Sequence, residues 1–125
     1  MLKKTITYID FDENERTEDF YFNLTNAEIT EMEMSTEGGL TKMLYKIVAE
    51  QDAKRIIEVF KDLILKAHGE KSPDGKRFVK TQDLRDAFEQ TEAYSELFMG
   101  LTMDADAAAA FVNGIIPKQV LKSAT

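Results

Sequence analysis

A change of hydrophobic period close to the N-terminus constrains the fold of this chain more than any other feature. In the run DFYFNLTNAEITEMEM, Phe20, Phe22 and Leu24 recur at every second position, which is the period of a half-buried strand. Thr25 and Glu28 then have the spacing of a capping box at the start of a helix. The sequence therefore predicts that a strand leads directly into a helix at this joint.

The joint also contains a glycosylation sequon, Asn23-Leu24-Thr25. The chain has no cysteine and its N-terminus lacks a secretory signal, which indicates an intracellular compartment and argues against a sugar at this position. Leu24 and Ile29 are spaced for a hydrophobic staple, which fixes the angle between strand and helix. We interpret the sequon as part of the structural joint.

The preceding run TITYIDF has strand propensity, and the polar link DENER separates it from the next strand, which predicts a two-stranded antiparallel hairpin. Asp10, Asp12 and Asn14 in this region have the spacing of a calcium-binding loop. However, Glu15 stands where such a loop needs glycine and Tyr21 stands where it needs a bidentate glutamate. A solvated hairpin loop is the preferred interpretation.

Helical spacing dominates from residue 36 onward. Apolar residues recur every three or four positions in two stripes, Leu40, Met43, Leu44, Ile47 and Val48, and Ile56, Phe60, Leu63, Ile64 and Ala67. Asp52 is the expected N-cap of the second helix and Gly69 its expected C-cap, and the turn residues Pro73-Asp74-Gly75 follow. Together these signals predict two helices and a loop.

Three shorter helices are expected after this loop. Thr81 is the expected cap of the first, Thr91 or Glu92 begins the second, and the third runs from about Asp104 to Gly114. The predicted fold class is α+β, mainly α, with an N-terminal two-stranded antiparallel hairpin followed by about five or six short helices. Residues 1–116 are expected to form one domain and residues 117–125 a flexible tail.

No catalytic or ligand-binding motif was found in the sequence. The single histidine, His68, lies beside the expected helix-ending glycine, which favours a surface or capping role over a metal site. There is no nucleophile elbow, phosphate-binding loop or dinucleotide fingerprint, so we expect no enzyme, metal or cofactor, although carboxylates that meet only in the fold remain an open alternative. A net charge of −7 argues against nucleic-acid binding, and no apolar run is long enough to predict a membrane span.

Charge is distributed unevenly along the chain. Residues 52–80 contain 8 basic and 5 acidic residues, and acidic stretches flank them on both sides. The loop in this region contains four basic residues, Lys71, Lys76, Arg77 and Lys80. We interpret them as solubilising; the alternative is that they dock onto an acidic face of another subunit.

The chain has more methionine and aromatic residues than several short helices can bury if each helix buries one face. Core filling is the default role of such residues, but a surplus also suits a protein that packs against an elongated partner or against copies of itself. The candidate partner-binding residues are Tyr94, Phe98, Met99 and Met103.

Three segments carry a resemblance to a known family. They are ERTEDFYFNLTNAEITEMEMSTEGGL, IIEVFKDLILKAHGEKSPDGKRFVKTQDLRDAFEQTEAYSELFMGL and AAAAFVNGIIP, in that order. The chain resembles, from about Thr5 to Pro117, the tail assembly chaperones of long-tailed phages and prophages of Gram-positive bacteria.

The resemblance implies a non-enzymatic protein of the host cytoplasm that is absent from the mature virion. It implies binding to the tape measure protein, which it keeps soluble, and recruitment of major tail tube protein. It also implies that ribosomal frameshifting can give a longer product. Self-association into a ring, spiral or filament is our expectation for a chaperone that coats a rod. The alternative function is a virion structural protein, such as a head-tail connector subunit.

Overall fold

A computed structural model of the chain describes residues 1–35 and 53–116. Residues 36–52 and 117–125 are not described. The first predicted apolar stripe, Leu40 to Val48, the expected N-cap Asp52 and the expected C-terminal tail all lie outside the described residues.

The predicted N-terminal hairpin is confirmed. Strand β1, Leu2–Ile9, pairs antiparallel with strand β2, Glu15–Phe22, in a register that runs from Leu2 opposite Phe22 to Ile9 opposite Glu15. Residues on one face of β1, including Ile6 and Tyr8, are buried, whereas their neighbours are exposed. The strand alternation seen in the sequence therefore corresponds to one sheet face that packs on the core.

The hairpin is part of a four-stranded antiparallel sheet, so the prediction of only two strands was wrong. Strand β3, His68–Lys71, pairs with β2, and strand β4, Phe78–Val79, pairs with β3, which gives the order β1-β2-β3-β4. The expected C-cap Gly69 is in fact a strand residue. A Cβ added there would lie 2.8 Å from a ring carbon of Phe78 and 2.7 Å from the carbonyl oxygen of Val79. The glycine is needed for close approach of the two strands rather than for ending a helix.

Five helices occur in the described part of the chain. They are α1, Asn26–Ser35; α2, Ala53–Ala67; α3, Gln82–Glu89; α4, Glu92–Met103; and α5, Ala105–Ile115. The predicted starts of the last three are confirmed. The side chains of Thr81, Thr91 and Asp104 accept hydrogen bonds from backbone amides of the first turn and so serve as the N-caps.

The capping box at the strand-helix joint is also confirmed. Thr25 N donates to Glu28 Oε1 at 3.0 Å, and Glu28 N donates to Thr25 Oγ1 at 3.2 Å. Leu24 and Ile29 are both buried in the hydrophobic core, as the staple requires. The sequon residues therefore serve the turn from β2 into α1.

The core lies between the inner face of the sheet and the helices. Its largest fully buried side chains are Phe22, Phe111, Leu24, Ile64 and Ile115. The rings of Phe22 and Phe111 meet edge to face with centroids 5.3 Å apart, and Leu24 N donates to the carbonyl of Ile115 at 3.0 Å. Contacts of this kind join the N-terminal hairpin to the last helix.

Candidate functional site

Helix α4 places the four predicted partner-binding residues at two depths. Ala93, Leu97 and Leu101, at intervals of four residues, are buried and anchor the helix on the core. The neighbouring side chains of Tyr94 and Phe98 are half-buried. Further out lie Met99 and Met103, which are 49% and 79% exposed.

The two aromatic residues are held by the core. The rings of Tyr94 and Phe98 stack with centroids 5.8 Å apart, and Tyr94 also meets Phe88 edge to face at 5.7 Å. Burial raises the pKa of the Tyr94 hydroxyl. These rings are therefore a fixed support beside the outer surface of α4, and most of their area is already used in packing.

Met99 and Met103 lie one turn apart on the solvent side of the same helix. Side chains at i and i+4 share a face, so both methionines project from the same side of α4. Gly100 lies between them in sequence. A Cβ added there would have no atom within 4 Å, apart from its two chain neighbours and the backbone of its own helix. This pair, which we call the methionine surface, is an exposed apolar face made of flexible, polarizable side chains.

Sequence reasoning missed another exposed apolar residue, Phe11, at the tip of the β1-β2 hairpin. The TITYIDF run was interpreted as strand, but β1 ends at Ile9 and Phe11 is 74% exposed in the turn. The amides of Asp12 and Asn14 each donate to Asp10 Oδ1 at 2.9 Å, which closes the turn. A signal was present in the sequence, because a large aromatic residue directly before a polar link is unusual for a simple solvated loop.

The carboxylate of Asp10, the first residue of the calcium-like spacing, is engaged within the turn itself. It accepts the two turn amides and pairs with Arg16, and the hydrogen bond from Arg16 lowers its pKa. In the described part of the chain, no group of three or more histidine, aspartate and glutamate side chains is arranged to hold a metal ion.

One of the four predicted basic loop residues has a structural role. Lys80 Nζ donates to the carbonyl oxygen of Asn23 and to Glu28 Oε2, both at 2.6 Å. Burial acts to raise the pKa of Glu28, but the hydrogen bonds from Lys80 and from the Thr25 amide outweigh it and lower the pKa. Lys80 is therefore not available for docking, whereas Lys71, Lys76 and Arg77 are exposed.

His68 has a different role from the one predicted. It is a strand residue only 6% exposed, not a surface or capping residue, and its ring stacks on Phe88 with centroids 4.3 Å apart. Burial lowers its pKa and so favours the neutral imidazole, while a hydrogen bond to the Tyr21 backbone acts in the opposite direction. The reason for the error is that β3 begins where a helix end was expected.

A groove opens beside this histidine, between β2, β3 and α3. Its volume is about 370 Å³. The described residues that line it are Glu18, Asp19, Phe20, Tyr21, His68, Gly69, Glu70, Leu84, Ala87, Phe88 and Thr91. Three of these carry carboxylates and none is lysine or arginine, so the groove has aromatic and aliphatic walls and an acidic rim. It was not predicted, because β3 and its pairing with β2 were not predicted.

Fold and surfaces together define a small α+β protein with an exposed methionine surface and a groove along a sheet. None of the helices in residues 1–35 and 53–116 is both long enough and apolar enough to cross a lipid bilayer. The chain belongs to the phage tail assembly chaperone family, whose model, described as "Phage tail assembly chaperone", matches residues 1–125.

This family is non-enzymatic, acts during assembly in the host, and has tail proteins as its partners. No curated protein and no solved structure matches the chain. The resemblance predicted from the ordered sequence segments is confirmed at the level of the family.

Proposed function

We propose that this chaperone binds the tape measure protein of a long-tailed phage or prophage of a Gram-positive host and keeps it soluble until the tail tube encloses it. The observation that carries the proposal is the methionine surface, Met99 and Met103, exposed on a helix whose opposite face is buried. A tape measure protein is a long helical chain with apolar stripes, and adaptable thioethers suit a repetitive partner of this kind.

Negative charge supports the same role. The chain carries a net charge of −7, and a coat of such subunits adds repulsion that opposes aggregation of the bound chain. Recruitment of major tail tube protein follows while the tape measure protein is covered. The chaperone then leaves, remains in the host cytoplasm and is absent from the mature virion.

The test is co-expression with the tape measure protein encoded in the same phage genome. We expect wild-type chaperone to keep that protein in the supernatant after centrifugation and to co-purify with it. Met99→Gln combined with Met103→Gln keeps side-chain length but removes the apolar surface, and should reduce recovery severalfold. Met34→Gln is the matched control, because Met34 is 84% exposed on another helix.

Two results would contradict this role. One is equal recovery of tape measure protein with the double variant and with the Met34 control. The other is mass-spectrometric detection of the chain at stoichiometric amounts in purified mature particles, which would favour the alternative of a virion structural protein such as a connector subunit.

Self-association is part of the proposal. A rod-shaped partner is covered by heterologous, repeating contacts rather than by a closed dimer, so we propose a ring, spiral or filament. In such an assembly the exposed residues Lys71, Lys76 and Arg77 meet acidic surfaces of the next copy. Because salt screens these charges, the association should weaken as the salt concentration rises. Sedimentation velocity across protein and salt concentration tests this, and a strict monomer at high concentration would overturn it.

A further inference from the structure

One edge of strand β2 has no strand partner along most of its length. β1 pairs with β2 from Glu15 to its end, whereas β3 pairs with it only at Tyr21 and Phe22. Within the described part of the chain, no strand lies beside Glu15–Phe20 on the side away from β1. An unpaired edge offers a row of backbone donors and acceptors to an extended chain.

The hydrogen-bonding pattern identifies which residues face this edge. Asn23 N donates to the carbonyl of Ala67 at 2.8 Å on the β3 side. Backbone groups of alternate residues in an antiparallel strand point to the same side, so the N–H and C=O groups of Glu15, Thr17 and Asp19 also point away from β1. These three residues can form a ladder with one more strand.

The groove beside this edge selects the chemistry of such a strand. Its acidic rim consists of Glu18, Asp19 and Glu70, and the described lining residues include no lysine or arginine. Its walls include Phe20 and Phe88, whose ring centroids are 5.2 Å apart. An extended segment with basic side chains alternating with apolar ones matches both features, because successive side chains of a strand point to opposite faces.

The buried imidazole of His68 is a second observation at the same place. It lines the groove, and its Nδ1 is buried without a hydrogen-bond partner among the described residues. A buried polar atom normally has a partner, so this nitrogen has hydrogen-bonding capacity left for a ligand in the groove.

We propose that this groove binds an extended, lysine- or arginine-containing segment of another protein, which adds as a strand to the free edge of β2. The partner is a different protein rather than a second copy, because none of the four described strands, β1 to β4, alternates basic residues with apolar ones. This site is separate from the methionine surface and does not depend on the role proposed for it.

The experiment uses synthetic eight-residue peptides as probes for the full-length protein. The first alternates lysine and valine, the second has the same composition with its four lysines contiguous, and the third alternates glutamate and valine. Fluorescence anisotropy measures Kd, and NMR follows the backbone amides of Glu15, Thr17 and Asp19. We expect only the alternating lysine peptide to bind and to shift these three amides.

Two threonines provide a matched pair of edge variants. Thr7 and Thr17 are directly opposite in the hairpin, their hydroxyl oxygens lie 3.0 Å apart, and the N–H of each points away from the other strand. Thr17→Pro removes a donor from the groove edge, and Thr7→Pro removes the equivalent donor from the outer edge of β1. We expect Thr17→Pro to weaken binding roughly tenfold and Thr7→Pro to leave it within about twofold.

A second pair tests the acidic rim without changing the backbone. Glu70→Lys reverses an exposed charge at the groove, and Glu31→Lys makes the same change in net charge on exposed α1. We expect roughly fivefold weaker binding for the first and less than about twofold for the second. Glu18 is avoided because it accepts a hydrogen bond from the Tyr8 hydroxyl.

The outcomes separate a strand site from non-specific attraction. The proposal is overturned if the contiguous-lysine peptide binds as tightly as the alternating one. It is also overturned if both members of either variant pair weaken binding equally, or if the β2 amides do not shift. If the wild-type protein self-associates and Thr17→Pro abolishes this while Thr7→Pro does not, the edge binds a second copy, and the choice of a different protein as partner is wrong. Failure of the methionine variants to affect tape measure recovery would leave this proposal intact.

Discussion

Lys80 Nζ and Glu28 Oε2 lie 2.6 Å apart and join two parts of the chain that are 52 residues apart in sequence. Through the same nitrogen, Lys80 also binds the Asn23 carbonyl at the end of β2. Glu28 in turn receives the amide of Thr25 in the capping box. One lysine thus fixes the joint between the hairpin and the first helix to the segment that precedes α3.

Lys80→Met should lower the free energy of unfolding by about 1–3 kcal/mol, because it leaves a partly buried carboxylate and a carbonyl without their charged donor. Lys76→Met is the control, since Lys76 is exposed and its substitution should change stability by less than about 0.5 kcal/mol. Urea unfolding of both variants measures the difference. Equal midpoints would contradict a structural role for Lys80.

Thr25→Ala removes the hydroxyl that accepts the Glu28 amide at 3.2 Å. Loss of this N-cap should cost about 0.5–2 kcal/mol of stability. Thr30→Ala, at an exposed interior position of the same helix, is the matched control and should be neutral or slightly stabilising. The prediction fails if the two alanine variants unfold at the same urea concentration.

Two glycines should respond oppositely to alanine. Gly100→Ala fills open space on exposed α4 and should stabilise the protein by about 0.5–1 kcal/mol through helix propensity. Gly69→Ala forces a methyl group against Phe78 and the Val79 carbonyl, and should cost about 1–3 kcal/mol. Thermal and urea unfolding measure both, and a destabilised Gly100→Ala would indicate that this part of α4 is covered.

Stability should fall with acid pH because of His68. Its pKa is lowered in the folded protein from an ordinary value of 6.5, since burial penalises the charged ring. The unfolded chain therefore takes up this proton first, so the stability contribution is full above pH 6.5 and declines below it, by at most about 1.4 kcal/mol per pH unit. His68→Phe keeps an aromatic ring and should remove this part of the pH dependence.

The measurement is urea unfolding of wild type and His68→Phe at pH 7.5, 6.5 and 5.5. Carboxylates such as Asp10 and Glu28 titrate alike in both proteins, so the difference between the two slopes isolates the histidine. Parallel slopes would show that the ring is not protonated differently on folding.

Much of the fold was predictable because its signals are local. The β1-β2 alternation, the Thr25–Glu28 capping box and the threonine caps each involve residues a few positions apart or one short hairpin. The pairing of Tyr21 with Gly69 was not predictable, since its partners are distant in sequence and β3 is only four residues long. The wrong placement of His68 followed directly from that pairing.

The candidate sites, too, were predictable only where their residues lie within one element. Helical spacing was enough to place Met99 and Met103 on one face of α4, although their exposure depends on what the rest of the fold covers. The groove needed β2, β3 and α3 together, and its acidic rim combines residues from two strands. A pattern within one element cannot predict a site of that kind.

The edge-to-face contact between Phe22 and Phe111 sets the order of events during synthesis. Strand β2 emerges early from the ribosome, but Phe111, one of the aromatic residues that pack on Phe22, belongs to α5, so this part of the core cannot close until α5 has been translated. At typical elongation rates this leaves the hairpin uncovered for several seconds. During that interval the nascent hairpin depends on the host's proteases and holdases leaving its apolar face intact and unaggregated.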